Sequence, residues 1–338
     1  MSNIPIQELK EILQSSNINF LLGAGVSVPY LPILGPIEKK LNEAATEEEK
    51  IPLYKEYFTG VMLPNMNIIR KDYSDGNLDA TIDSYKKFFL ELTSQLIKRK
   101  GSILNKQVNV FTTNIDVMME VALEKLAIDY NDGFSGKFNP TFGLANFKKS
   151  IFQRSLHFDH RSEVPVFNII KVHGSLSWKH DDSGEKIIFS SMLEHLNGCV
   201  PASTDEAFLA EYKKILVVNP EEAKHLESVL NIYYSELLRL YSSELEKENA
   251  TLFVLGFSMG DVHIKEITLR AAKSNPTLRI FVGCSLNSKE QMETKMEITK
   301  HPNIQMLCPN VPGEKYTLKH FVDFLQNKPL TSEIVEQS

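Results

Sequence analysis

The stretch INFLLGAGVS, residues 18–27, is a short apolar run that ends directly at a pair of glycines. A run of this length, bounded by a turn signal, predicts a buried β-strand. Gly23 and Gly25 then suit a tight strand-to-helix turn, where missing side chains let a ligand approach the backbone. The helix N-terminus that should follow offers unpaired N–H groups and a positive dipole end, the usual seat of a dinucleotide pyrophosphate. The stretch lacks the third glycine of the common fingerprint, so a glycine turn without a ligand is the alternative.

The bulk properties are those of a soluble globular protein, with 42% hydrophobic and 24% charged residues among 338. A net charge of −6 argues against a broad nucleic-acid surface, and direct nucleic-acid binding is not expected. No signal-peptide run and no membrane-length apolar stretch is present, so we expect a cytoplasmic protein that binds no membrane. Cys199, Cys284 and Cys308 form no Cys-x-x-Cys pair, which disfavours a disulfide framework and a Cys-rich zinc module.

Apolar runs alternate with segments of helical period along the rest of the chain. The runs predict strands at residues 108–113, 166–172, 187–189, 214–218, 251–255, 278–282 and 304–307. The periodic segments predict helices at residues 79–100, 117–127, 221–247, 261–273 and 318–325. Continuous apolar strands separated by helices are typical of a parallel sheet covered on both faces. The fold class is therefore α/β, with a doubly wound Rossmann-like sheet.

Two segments are too long to be simple connections between strands. Residues 36–104 are mostly helical in pattern, and residues 131–164 are rich in Gly, Phe, Asn and His with little period. We predict a Rossmann-like domain made of residues 1–35, 105–130 and 165–338. The two long segments would form an inserted, mostly helical subdomain, although the second of them could instead be a mobile loop.

Four predicted strands end in clusters of small or polar residues, at positions 23–27, 112–116, 173–175 and 256–261. Ligands of open parallel sheets bind outside the carboxyl ends of the strands. If the four ends converge there, they assemble a site.

Several residues in these clusters could carry chemistry. A helix cap needs one residue, yet Thr113, Asn114 and Asp116 cluster at the end of one strand, and this surplus suggests ligand contact. His173 is either a base working near neutral pH or a satisfied core histidine. Asp261 is a good helix N-cap. Two further groups remain open: Ser258 could bond a phosphate or a ribose hydroxyl, and the turn of residues 283–287 could hold an adenosine or be an ordinary cap.

One other enzyme class loses support. The chain does not contain the Gly-x-x-x-x-Gly-Lys-[Ser/Thr] loop of P-loop ATPases. His157, Asp159 and His160 have some metal-ligand character but stand in a loop without a further cluster.

The ordered set Gly-Ala-Gly-x-Ser, Thr-Thr-Asn-x-Asp, His-Gly-Ser and Gly-Phe-Ser-x-Gly-Asp-x-His resembles the sirtuin-like superfamily, and most of all its bacterial defence branch. The resemblance covers roughly residues 16–290. It implies that NAD is bound as a substrate, with Asn114 and Asp116 facing the nicotinamide ribose and carboxamide and His173 acting as catalytic base. The residues it implies for NAD binding are Gly23, Ala24, Gly25, Ser27, Thr113, Gly256, Ser258, Asp261, Ser285 and Asn287.

Two departures from the family pattern bear on the substrate. The four-cysteine zinc module of protein deacylases is absent, so no zinc is expected, and residues 28–32 replace their usual Gly-Ile-Pro-Asp-Phe-Arg run. Both departures disfavour an acyl-lysine peptide and are compatible with water as acceptor. The resemblance therefore implies an NAD hydrolase that produces nicotinamide and ADP-ribose, in antiphage defence by NAD depletion and abortive infection.

Alternatives to this hypothesis are an NAD-dependent deacylase or ADP-ribosyltransferase, and a module that senses NAD or ADP-ribose and regulates a partner. The resemblance further implies a homo-oligomer and a possible HerA-like ATPase or other defence partner.

Overall fold

The computed structural model describes residues 5–33, 35–70, 75–99, 104–157, 159–200, 204–219, 228–309, 311 and 313–326, without the side chains of residues 228–231. Its strands are β1 (Asn17–Leu22), β2 (Gln107–Thr112), β3 (Tyr130–Asn131), β4 (Phe134–Ser135), β5 (Thr141–Phe142), β6 (Phe152–Arg154), β7 (Arg161–Glu163), β8 (Val166–Lys171), β9 (Trp178–His180), β10 (Ile187–Phe189), β11 (Ala250–Leu255), β12 (Arg279–Gly283) and β13 (Ile304–Leu307). Its α-helices are α1 (Ile6–Ser15), α2 (Gly35–Glu43), α3 (Glu47–Tyr57), α4 (Pro64–Arg70), α5 (Gly76–Ile97), α6 (Met118–Lys125), α7 (Asp205–Tyr212), α8 (Ser228–Leu245), α9 (Val262–Ser274), α10 (Lys289–Lys295) and α11 (Leu318–Leu325).

The central sheet has seven strands in the order β13-β12-β11-β1-β2-β8-β3, and every neighbouring pair is parallel. The chain builds outward from β1 to β2 and β8 on one side, and from β11 to β12 and β13 on the other. The strand order therefore reverses between β1 and β11, which is the doubly wound arrangement. The predicted fold class is confirmed.

The strands are buried because helices cover both faces of the sheet. α1, α5, α6 and α11 pack together on one face, while α8 and α9 lie on the other. Phe20 on β1 has its ring centroid 5.0 Å from Phe88 of α5, 5.1 Å from Phe253 of β11 and 5.4 Å from Phe321 of α11. Each such fully buried phenylalanine contributes roughly 1.5–3 kcal/mol.

The two predicted insertions differ from the expectation in their structure. Within residues 36–104, α5 is part of the layer that covers the sheet, since Phe89 packs at 4.9 Å on Phe167 of β8. Residues 131–164 are not mostly helical: they hold short strands and one 3-10 helix, Leu144–Lys148. β4, β5, β10 and β9 form a small antiparallel sheet, and β6 and β7 form a separate hairpin. Aromatic side chains pack on the small sheet, as do Phe142 and Trp178, whose ring centroids lie 4.6 Å apart. This segment has no helical period because its apolar residues belong to short strands.

The strand predicted at residues 214–218 is wrong. Residues 215–218 are buried, but among the described residues this segment makes only an isolated β-bridge, from Val217 to Gly174. The helix predicted from residue 221 begins, in the described part, at Ser228, since residues 220–227 lie outside it. No helix among the described residues is both long and apolar enough to cross a bilayer.

Candidate active site

The four polar clusters that follow β1, β2, β8 and β11 lie at one edge of the sheet. These strands are neighbours in the order β11-β1-β2-β8 and run parallel, so their carboxyl ends face the same side. The edge includes the point where the strand order reverses, which is where open α/β sheets bind ligands.

The glycines after β1 have a packing reason. A Cβ atom on Gly23 would lie 2.6 Å from the carbonyl oxygen of Gly256, and one on Gly25 would lie 2.9 Å from the Cα atom of Gly256. The Gly25 N–H donates to the same Gly256 carbonyl over 2.9 Å. Two backbone turns therefore interlock here, and only glycine permits the approach.

The sequence predicted an α-helix directly after this turn, but the structure has none there. A three-residue 3-10 helix, Ala24–Val26, follows Gly23, and the next α-helix of the described chain begins at Gly35. A helix dipole at this turn therefore contributes nothing to phosphate binding. Whatever anion affinity the turn has must come from its half-exposed backbone at Ala24 and Gly25.

Ser27 lies beneath the turn, with 1% of its surface exposed. Its hydroxyl donates to Asp116 Oδ2 over 3.0 Å and accepts from Asn114 Nδ2 over 3.2 Å. Since its one hydrogen goes to Asp116, the 3.0 Å contact with the Tyr85 hydroxyl is a bond that Tyr85 donates. A hydroxyl has one donor and two acceptor sites, so Ser27 is saturated. All three sites of its hydroxyl are thus occupied by protein groups, and a role of Ser27 in NAD binding stays a prediction.

Asn114 and Asp116 are held from several sides. Asn114 Nδ2 also donates to the Gly23 carbonyl over 3.2 Å, so both amide hydrogens are used and the amide oxygen is its remaining acceptor. Asp116 is 2% exposed, and its Oδ1 accepts from the Met118 N–H over 3.1 Å. The structure therefore places Asp116 under the loop, with its carboxylate bound to protein groups.

Three residues in or beside this network come from the predicted helical insertion and were not identified from sequence. Asn65 Oδ1 accepts from the Val117 N–H over 3.0 Å, and Tyr85 bonds Ser27. Burial, and then the negative charge of Asp116, raise the pKa of both Tyr57 and Tyr85, so both phenols stay protonated. The only sequence signal at these positions was an apolar stripe. Such a stripe indicates that a tyrosine ring packs in the core, but not whether its hydroxyl forms a hydrogen bond.

A buried ion pair fixes the loop from the other side. Lys171, at the end of β8, lies 3.1 Å from Glu120 Oε1 and also donates to the backbone carbonyl of Asp116. Burial raises the pKa of Glu120, while Lys171 acts in the opposite direction. The pair ties the loop after β2 to β8.

His173 is positioned by its own turn and by Asp261. Gly174 has φ +77°, and a Cβ there would collide with the Leu216 carbonyl, so this position requires glycine. The Val218 N–H donates to the His173 carbonyl over 2.8 Å. His173 Nε2 lies 2.9 Å from Asp261 Oδ2, with the two side chains 15% and 5% exposed. The segment that was predicted to be a strand thus serves as a buttress for the His-Gly turn.

The remaining predicted site residues are distributed around this edge. Thr113 is half-buried beside Asn114, and Ser258 and Asn287 are exposed. The Ser258 carbonyl accepts from Lys295 Nζ over 3.0 Å. The Ser285 hydroxyl caps the next turn through the Ser288 N–H at 3.2 Å, which is the ordinary cap considered from the sequence.

No group of three or more potential metal ligands is assembled within the described ranges. His160 contacts the Ser162 hydroxyl at 3.0 Å, and Asp159 pairs with Arg154 on the exposed hairpin. The absence of zinc stays a prediction.

A family model described as the SIR2-like domain matches residues 108–305, more than half of the chain. The chain belongs to this SIR2-like family. The match includes Asn114, His173 and Asp261, and it begins after the Gly-Ala-Gly turn. Membership supports an NAD-related enzymatic function in general.

Solved structures resemble this SIR2-like chain over most of its length. One, from work on the mechanism and regulation of Sir2 enzymes, is 15% identical, covers 95% of this chain and 97% of its own, and gives a TM-score of 0.45. A Sir2 homologue in complex with NAD is 14% identical, with coverages of 95% and 93% and a TM-score of 0.47. A comparison with curated proteins found no match.

Proposed function

We propose that this SIR2-like chain hydrolyses the bond between nicotinamide and ribose in NAD. NAD⁺ and water would give nicotinamide, ADP-ribose and one proton. The observation that carries the proposal is the placement of Asn114 and His173 after neighbouring parallel strands, β2 and β8, beside the interlocked glycine turns. An amide that orients and an imidazole that accepts a proton then stand at the edge where such sheets bind nucleotides.

The reaction does not require a strong general acid. Positive charge develops on the ribose as the bond breaks, much as in glycoside hydrolysis. Nicotinamide carries a positive charge in NAD and leaves neutral, so the protein must mainly position water and exclude bulk solvent.

The residues divide the work as follows. Asn114, with both amide hydrogens bound to Gly23 and Ser27, offers its amide oxygen to the attacking water or to a ribose hydroxyl. His173 takes the proton from that water. Asp116 acts through Asn114 and Ser27 rather than by touching the carboxamide, because its carboxylate is bound beneath the loop.

Water as the acceptor is supported by sequence features already described. The chain lacks the four-cysteine zinc module and the Gly-Ile-Pro-Asp-Phe-Arg run that protein deacylases of the family usually carry. ADP-ribosyl transfer or deacylation would require an acceptor site beside His173 that binds a macromolecule or an acylated lysine.

Incubation of the purified protein with NAD in ¹⁸O-labelled water tests the proposal. We expect free nicotinamide and ADP-ribose that carries one ¹⁸O atom at the ribose. His173→Ala should lower the rate at least about 100-fold, as expected for loss of a positioned base. His157→Ala, on the exposed β6–β7 hairpin, should leave it unchanged.

Other outcomes select the alternatives. NAD-dependent stabilisation without nicotinamide release would favour a sensing module. Release that requires an acylated peptide would favour a deacylase, and label transfer to protein an ADP-ribosyltransferase. Background nicotinamide in all samples, with no change in melting temperature on adding NAD, would refute every NAD-based function.

We place this activity, as part of the same proposal, in antiphage defence through NAD depletion. A homo-oligomer and a HerA-like ATPase or another defence protein would be its partners. The matching test is the NAD content of infected cells that express the wild-type chain or His173→Ala, with and without the candidate partner. Equal NAD content in these cells would contradict the defence role.

A further inference from the structure

We propose that Asp261 is a positioning residue for His173, rather than a contact for NAD. The inference rests on the proposed function, in which His173 is the base, and assigns the residue that sets the tautomer of His173. The observation behind it is the 2.9 Å contact between His173 Nε2 and Asp261 Oδ2.

The carboxylate of Asp261 is held at two points. Its Oδ1 accepts from the Ile264 N–H over 3.1 Å and so caps α9, while its Oδ2 faces His173. A capping bond fixes the torsion of the side chain, which leaves the second oxygen pointing in one direction. The thirteen-residue helix therefore orients the acceptor before any substrate binds.

The pair also joins distant parts of the sheet. His173 follows β8 and Asp261 follows β11, and β1 and β2 lie between them in the sheet order. Three strand spacings amount to about 14 Å, so the two loops must reach toward each other across the intervening strand ends. The contact thus joins two loops whose strands have β1 and β2 between them.

The chemistry of the pair defines a tautomer. An ionised carboxylate only accepts hydrogen bonds, so the neutral imidazole must donate from Nε2. Its lone pair then lies on Nδ1, which is the atom that takes the proton from water. The carboxylate stabilises the imidazolium formed in that step, and the proton is later released to solvent. A buried carboxylate beside a catalytic histidine acts in this way in serine proteases.

The central test variant is Asp261→Asn, because asparagine keeps the shape and remains a good N-cap. Its amide nitrogen cannot accept from Nε2. We expect kcat for NAD hydrolysis to fall about 10²–10⁴-fold with KM changed less than about threefold, since tautomer control acts on the chemical step. Asp75→Asn is the matched control: Asp75 caps α5 through the Asn77 N–H at 2.8 Å and lies outside the site.

A second readout does not require activity. In protein labelled with ¹⁵N-histidine, the His173 signals, identified among nine histidines by their loss in His173→Ala, report which ring nitrogen carries the proton. The wild type should show it on Nε2, and Asp261→Asn should move it to Nδ1. Asp261→Ser, which keeps a cap but has no second oxygen, serves if the first variant does not fold.

Three results would overturn the inference. The first is an unchanged tautomer with kcat within threefold of wild type. The second is a rise in KM at constant kcat, which would return Asp261 to NAD binding. The third is a loss of activity that only parallels a fall in melting temperature. If the wild type cleaves no NAD, the proposed function fails, and the tautomer experiment still decides whether Asp261 sets the state of His173.

Discussion

At the scale of single residues, Ser27 connects more of the site than any motif suggests. One small hydroxyl joins the loop after β1 to Asn114 and Asp116 after β2 and to Tyr85 on α5. A buried polar network of this kind is costly to interrupt, because groups deprived of a partner have no water to replace it. Ser27 should therefore matter to stability and to activity at once.

Replacing Ser27 by alanine deprives Asn114, Asp116 and Tyr85 of a partner. We expect Ser27→Ala to lower the free energy of unfolding by about 1–3 kcal/mol, and Tyr85→Phe by about 1 kcal/mol. The double variant should lose less stability than the two single variants added together, because Tyr85→Phe removes the hydroxyl that Ser27→Ala leaves without a partner. Urea unfolding measures the three values.

The control for this cycle is Ser84→Ala on the same helix. Ser84 is half-buried, and its hydroxyl makes an exposed bond to the Ala80 carbonyl of its own helix, so its loss should change stability by less than about 0.5 kcal/mol. Additivity of the Ser27 and Tyr85 effects would contradict the network.

Sequence reasoning finds some of these residues and misses others for physical reasons. Asn114, Asp116 and His173 were identified because polar residues directly after apolar strands are unusual and must lie at the sheet edge. Tyr85 was missed because its ring obeys the helical apolar period. The partnership of His173 with Asp261 was missed because it joins positions 88 residues apart.

At the scale of elements, the His-Gly turn depends on a segment without regular structure. Residues 215–218 are buried and hold the turn through the Val218 N–H and the bridge at Val217. Gly174 meets two constraints there, a positive φ and the close approach of the Leu216 carbonyl.

A pair of glycine variants separates these two constraints. Gly174→Ala and Gly184→Ala both place a Cβ at positive φ, +77° and +73°, but nothing lies within 4 Å of the Cβ position at Gly184. Gly184→Ala should therefore cost only the backbone term, about 1–2 kcal/mol. Gly174→Ala should cost at least about 1 kcal/mol more and should also reduce NAD cleavage, since His173 moves with the turn. Equal losses in thermal or urea unfolding would show that the Leu216 contact is unimportant.

Sequence predicts an element well when a single structural cause, such as burial of both faces, produces its pattern of apolar residues. The long sheet strands were found because both their faces are buried, which produces continuous apolar runs. Residues 214–218 show the same kind of run but, in the described structure, make one isolated β-bridge. Such a run therefore indicates burial and not strand pairing. The two- and three-residue strands of the small sheet are too short for any period to register. α1 was missed, although Leu9, Ile12 and Leu13 have helical spacing.

At the scale of the whole molecule, stability toward acid should depend on His195, a half-buried histidine whose two ring nitrogens are buried. Both ring nitrogens of His195 lack a hydrogen-bond partner among the described residues. Burial, assisted by Lys179, lowers the pKa of His195 from 6.5 to about 4. A depressed pKa means that the folded state binds the proton less readily than the unfolded chain, so this contribution is present above pH 6.5 and is lost as the pH falls toward 4.

His195→Leu tests this dependence, because leucine does not titrate. Between pH 7 and 4, the free energy of unfolding should fall by about 2–3 kcal/mol more in the wild type than in the variant. Chemical denaturation at a series of pH values measures the difference. His157→Leu, at an exposed position, should follow the wild-type curve, and parallel curves for wild type and His195→Leu would contradict the assignment.

The central place of β1 also bears on how the chain is made. Its neighbours are β2, about ninety residues downstream, and β11, which begins at residue 250. On the ribosome, β1 emerges long before β11 and therefore keeps one unpaired edge until residue 255 has been synthesised. Such an edge is a site for aggregation and for chaperone binding. We expect nascent chains stalled before residue 250 to remain protease-sensitive, and protection of residues 17–22 to appear only after residue 255 has left the exit tunnel.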